Sequence, residues 1–169
     1  MRARQESCCV TGHRPGKLPW KYNENHGRCL ALKRRIADAV ELAYQEGFCH
    51  FLCGMALGCD LYFCEAVLAL REAHPDVTVE AAIPCPTQAD AWPAVQKERY
   101  DRLVAACDFE TMVSDHYTSS CMQRRDRYMV DHASLLIAAF DGTAGGTRYT
   151  VEYALSRGLS IVDLPILAE

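Results

Sequence analysis

Leu135-Leu136-Ile137-Ala138-Ala139-Phe140 is an unbroken apolar run, and Asp141-Gly142-Thr143-Ala144-Gly145-Gly146-Thr147 ends it abruptly. A run of that length without a polar interruption suits a strand covered on both faces, the setting of a parallel sheet. The glycines that follow permit positive φ angles and let a ligand approach the backbone closely, as a phosphate cradle requires. Thr147 stands at a helix N-cap position, and Thr150-Val151-Glu152-Tyr153-Ala154-Leu155 continue as a helix up to Arg157-Gly158. A helix N-terminus behind such a turn offers unpaired N–H groups and a positive dipole end to an anion. By itself the segment serves equally as a tight strand-to-helix connection with no ligand.

The rest of the chain repeats the alternation of strand and helix. Ser7–Thr11 reads as a strand, followed by Gly12-His13-Arg14-Pro15-Gly16 and a loop to about Gly27. Apolar Cys29, Leu32, Ile36, Val40 and Ala43 mark a helix over Arg28–Gln45. Phe48–Cys53 is a second strand, closed by Gly54-Met55-Ala56-Leu57-Gly58-Cys59-Asp60, and Leu61–Ala73 is an apolar helix stopped by His74-Pro75. A third strand spans Val77–Ile83. Thr87 is placed to cap a helix running to about Ala106, with Pro93 in its first turn or displacing its start. Phe109–Val113, a helix over Met122–His132, the opening strand and Ser160–Leu164 complete the order. Such alternation predicts an α/β fold, a Rossmann-like three-layer sandwich with a mainly parallel sheet and right-handed crossovers. With no internal repeat or linker, residues 1–169 read as a single domain.

Composition narrows the class. Half of the residues are hydrophobic, so the chain is globular, and a formal charge of −4 argues against a dedicated nucleic-acid binder. No stretch approaches a membrane span or a signal peptide, so the expected compartment is the cytoplasm. The ten cysteines contain no Cys-x-x-Cys, and the gaps among Cys49, Cys53, Cys59 and Cys64 match no zinc spacing. They are expected to act as small hydrophobes, with no metal, disulfide or cofactor.

In a sheet of this kind ligands bind beyond the carboxyl ends of the strands. Three small-residue turns fall there: Gly12, His13 and Arg14 after the first strand; Gly54, Gly58 and Asp60 after the second; Asp141, Gly145, Gly146 and Thr147 after the fifth. A diphosphate or phosphoribosyl group is the natural occupant. Pro15 biases Arg14 toward an extended backbone, which suits either phosphate recognition or a surface ion pair. His13 can touch phosphate or base, or hold its own loop. Asp60 can bind a ribose hydroxyl or cap the helix behind it. On the helix before the fifth strand, Arg124, Arg127 and Tyr128 share one face while Arg125 and Met129 share another, so one arginine is expected in the crevice. Glu152 suits a general acid or a surface carboxylate.

Thr11-Gly12-His13-Arg14-Pro15, Gly54 to Asp60, Arg125-Asp126-Arg127-Tyr128-Met129-Val130-Asp131 and Asp141 to Thr150 together resemble the YpsA-like proteins of the SLOG superfamily. That superfamily also holds the DNA-processing protein A family and the "lonely guy" phosphoribohydrolases. The resemblance covers nearly the whole chain. It implies a Rossmann-like fold, a nucleotide or nucleotide-derivative ligand (ADP-ribose, NAD-like or a nucleoside monophosphate) bound by a sensor, and a homodimer. The phosphoribohydrolases use an Arg four residues before a Met, as Arg125 stands before Met129, and a Pro-Gly-Gly-x-Gly-Thr-x-x-Glu motif. Aligning Gly145-Gly146 on its first glycines brings Glu152 onto the acid. Asp126 replaces the Lys that follows their Arg, however, and Arg148-Tyr149 replaces Gly-Thr. The resemblance therefore offers Arg125 and Glu152 as a catalytic pair for N-glycosidic cleavage, an alternative to binding alone. Single-stranded DNA binding, by analogy with the DNA-processing proteins, sits poorly with the negative charge.

Overall fold

A computed structural model describes residues 3–167. The strands are β1 (Ser7–Gly12), β2 (His50–Cys53), β3 (Thr78–Ile83), β4 (Phe109–Met112), β5 (Leu135–Phe140) and β6 (Ser160–Pro165). The helices are α1 (Gly27–Gln45), α2 (Cys59–Ala73), α3 (Ala94–Ala106), α4 (Cys121–Asp131) and α5 (Gly146–Ser156). All six strands form one sheet in the order β4-β3-β2-β1-β5-β6, and every pairing is parallel. The chain starts in the middle, walks outward to β4, then returns to β5 on the other side of β1.

Alternate strand residues serve two cores, as the period of two demands. Val10, Phe51, Val79 and Ile137 pack with Leu32, Ile36, Phe63, Val67 and Leu103 of α1, α2 and α3. Cys9, Leu52, Leu136 and Ala138 pack with Met129, Val130 and Ala154 of α4 and α5. Each large apolar side chain sealed this way contributes about 1.5–3 kcal/mol. The central strands explain their sequences: β5 is buried along Leu135–Ala139, whereas the edge strand β4 exposes Phe109 and Met112.

Several boundaries differ from those read in the sequence. Thr87 caps no helix: 87–92 are turns and bends, and α3 starts at Ala94 behind Pro93, whose ring suits the entry to a helix and not its interior. Neither Asp60 nor Thr147 is an N-cap. Gly58 and Gly145 hold those positions with φ of 87° and 150°, in the region that favours glycine, so each helix begins earlier than expected. All ten cysteines are free thiols, and most are buried. Among the described residues no helix is long and apolar enough to cross a membrane.

Candidate functional site

The order of the sheet reverses between β1 and β5, so the loops after β2, β1 and β5 stand side by side at the carboxyl edge. A cleft of about 240 Å³ opens between them. Its wall holds Gly12, His13, Arg14, Asp60, Gly146 and Thr147 of the expected ligand set, together with Arg125. It also holds Lys17 and Asp126. A larger cleft of about 320 Å³ lies between α1 and the C-terminal segment, lined by residues such as Trp20, Leu32 and Ile166. The smaller cleft brings charges of both signs to the N-termini of α2 and α5, the chemistry expected of a small-molecule site.

Gly54, Gly58, Asp141 and Gly145 shape this wall from behind. A Cβ on Gly12 would stand 2.4 Å from the Cβ of Cys59, and one on Gly54 would stand 2.8 Å from the Arg125 guanidinium. These two positions let α2 and α4 approach the strand ends. Asp141 fixes His13, whose Nε2 lies 2.8 Å from the Asp141 carboxylate with the ring almost wholly buried. The same oxygen accepts the Thr143 hydroxyl at 2.6 Å and its backbone N–H at 2.9 Å. These bonds, Thr143 first and His13 next, hold the Asp141 carboxyl well below the usual carboxylate range. Met55 is fully buried with a φ of 61°, a left-handed conformation costing about 1–3 kcal/mol that clusters at ligand sites.

Arg125 is the helix α4 arginine that turns inward, and it is 3% exposed. Its guanidinium donates to the Gly54 carbonyl, to Gln88 Oε1 at 3.4 Å and, through Nε, to Asp126 at 2.7 Å. Burial opposes its charge, but Asp126 and Asp60 outweigh that and hold the pKa above its ordinary value. Arg124 instead donates to Ser114, and Arg127 lies over the rings of Tyr149 and Tyr153. Asp60 is buried in the first turn of α2 and accepts the Ala56 N–H at 3.1 Å. Burial pushes its pKa up to about 6, against the pull of Arg125.

Two cations face the opening. Arg14 reaches the Met122 sulfur at 3.7 Å, and Lys17 donates to the Ala144 carbonyl at 2.7 Å. Lys17 is thereby laid across the Gly145-Gly146 turn, where no side chain caps α5. No local pattern marks Lys17 in the sequence, because its role depends on a contact 127 positions away. Glu152 is exposed on α5 and pairs with Arg148 at 3.0 Å, one helical turn before it, so it does not join Arg125 at the cleft.

The model of the YspA SLOG family (YpsA) matches residues 8–160. The chain belongs to the YpsA SLOG family. It is similar to the SPbeta prophage-derived protein YoqJ of Bacillus subtilis, 31% identical over 74% of this chain and 81% of that protein. It is similar also to UPF0398 protein YpsA of the same organism, 24% identical over 82% of this chain and 77% of the other. Among solved structures, DNA processing protein A from Streptococcus pneumoniae superposes with a TM-score of 0.62 at 17% identity, and that from Helicobacter pylori with 0.63 at 14%. Each superposition takes in 96% of this chain, but the chain spans only 51% of the first protein and 66% of the second. At these identities the likeness establishes the Rossmann-like fold of this family member.

Proposed function

We propose that this YpsA-family chain binds a nucleotide or nucleotide derivative in the cleft between the β1, β2 and β5 loops, and acts as a sensor of it. The observation that carries the reading is the uncapped N-terminus of α5 at Gly146-Thr147, flanked by Arg14 and Lys17, whose hydrogen bonds go to a sulfur and a carbonyl and not to a carboxylate. A phosphate there meets aligned N–H groups, a positive dipole end and two cations. Asp60, across the same cleft, suits a ribose hydroxyl as hydrogen-bond acceptor. A cleft of about 240 Å³ matches one sugar-phosphate unit, with any further part of the ligand extending outward. Binding is favoured over N-glycosidic hydrolysis by the position of Glu152, which is exposed on α5 beside Arg148 and does not line the cleft, and by the occupied donors of Arg125. Single-stranded DNA binding, named for the Helicobacter pylori protein, is disfavoured by the formal charge of −4.

A thermal-shift panel of AMP, ADP-ribose, NAD and cyclic nucleotides tests the reading. A ligand at about 100 times its Kd stabilises by about 2.7 kcal/mol, which for a domain of this size raises Tm by about 5–10 °C. The shift is expected to vanish in Arg14→Ala and in Gly146→Val. Beyond the adjoining turn no atom lies within 4 Å of a Cβ built on Gly146, so a side chain there starts in open space at the cleft wall. A panel with no shift overturns the reading; release of free base that is lost in Glu152→Gln favours the hydrolase instead.

A further inference from the structure

Most of the cysteines act as small hydrophobes of the core, but the sulfurs of Cys64 and Cys107 meet across elements. They lie 3.9 Å apart, although 43 positions separate the two residues in the chain. Cys64 is fully buried in α2, and Cys107 stands just past the end of α3, on an extended residue that leads through Asp108 into β4. Arg71, two helical turns after Cys64 on α2, donates to the Ala106 carbonyl at 3.0 Å and to the Asp108 carboxylate at 2.9 Å. One face of α2 therefore grips the corner between α3 and β4 on both sides of Cys107. The main chains are held close, and rotation of the two side chains is what separates their sulfurs from a bond of about 2.0 Å. The two thiols differ in access. Cys107 is partly exposed, while Cys64 is sealed. Cys53, the last residue of β2, also lies beside Cys64, but it is fully buried within the sheet. A reagent arriving from solvent thus meets Cys107 first and Cys64 second.

We propose that Cys64 and Cys107 form a reversible disulfide when the protein meets a low-molecular-weight disulfide, and that this bond locks the β4 edge of the sheet onto α2. The Cys107 thiol gives its proton to solvent and its sulfur attacks one sulfur of the small disulfide. That S–S bond breaks, and one small thiolate leaves and takes up a proton. Cys64 then loses its proton and attacks the Cys107 sulfur of the mixed disulfide, expelling the second small thiolate, which is protonated in turn. Two cysteine sulfurs are oxidised, and the two sulfurs of the reagent are reduced. The hydrogen bond shared with Cys64, and then burial, push the Cys107 thiol up, so the exchange is slow at neutral pH and faster in mild base. The bond closes a loop that holds β3 and α3 and ends beside the edge strand β4. It restrains both the unfolded chain and the local opening of that edge. Neither cysteine lines the nucleotide cleft, so the inference stands independently of the nucleotide reading.

The test is incubation of the reduced protein with glutathione disulfide at about pH 8.5, near the ordinary thiol pKa, followed by peptide mapping and thermal melting. The wild-type chain is expected to yield a peptide that joins Cys64 to Cys107 with the loss of two hydrogens. Its Tm is expected to rise by about 5–10 °C, and dithiothreitol to reverse both changes. Cys107 then escapes a maleimide that labels it in the reduced protein. Cys107→Ser, at a partly exposed position, is expected to form no internal disulfide and to gain no such stabilisation. Cys64→Ala is expected to retain glutathione on Cys107, because the thiol that would displace it is missing. A wild-type chain that stays reduced, that keeps glutathione on Cys107, or that joins Cys64 to Cys53 instead overturns the proposal. So does a bond between Cys64 and Cys107 that leaves Tm unchanged.

Discussion

Asp60 is the residue whose surroundings sit least comfortably with its charge. Its pKa rises from the ordinary 3.8 to about 6 because burial outweighs the attraction of Arg125. A carboxyl whose folded pKa lies above its unfolded value destabilises the fold when ionised. That penalty is absent below pH 3.8, grows as pH climbs, and is complete above about pH 6, where it amounts to at most about 3 kcal/mol. Asp60→Asn is therefore expected to raise Tm at pH 7 and leave it unchanged near pH 3.5, as calorimetry across that range will show. Arg125 behaves oppositely. Its removal leaves the part-buried Asp126 without its arginine and the Gly54 carbonyl with only a long bond from Gln88, so Arg125→Leu is expected to cost about 3–5 kcal/mol in urea unfolding. Helical spacing alone singled out one inward arginine on α4, but which one required the fold: Arg125 shares its face with Met129, and that face packs on the sheet.

At the scale of elements, the two glycine-rich turns do different work. Gly12 lets β1 and α2 touch, so Gly12→Ala must push α2 away from the strand and is expected to cost about 1–3 kcal/mol. Gly146 has open space where a Cβ would stand, so Gly146→Ala is expected to change stability by less than about 1 kcal/mol while weakening nucleotide binding. Chemical denaturation of the pair, with and without ligand, separates a packing glycine from a ligand-facing one. The starts of α2 and α5 each lie two residues before the position read in the sequence, for a shared reason. Asp60 and Thr147 are good capping side chains, but here the carboxylate turns back to the Ala56 N–H, and glycines take the cap positions because their φ values exclude other residues.

Over the whole molecule, burial is graded from the centre of the sheet to its edges. β1 and β5 lie between two cores, whereas β4 has one face half open and β6 is mostly partly exposed. Native-state hydrogen exchange is expected to follow this gradient: amides of Cys9, Val10 and Ile137 exchange only with global unfolding, and those of Phe109–Met112 by local opening. Thiol labelling should agree with it. Only Cys49 and Cys107 are partly exposed, so the folded protein is expected to react at no other cysteine, and the unfolded chain at all ten.

The sequence by itself determined the layered α/β architecture, the alternation of elements and the three turns at the ligand edge. Those features are local: apolar runs, helical spacing and glycine punctuation act within a few residues of chain. It did not determine the strand order, the cover that Lys17 makes over the Gly145-Gly146 turn, or the outward position of Glu152. Nor did it reveal a second cleft, lined by residues of β1, β2, β3, β4 and α4. Each of these depends on residues brought together from far apart in the chain, and only close packing of the elements decides which side chains meet.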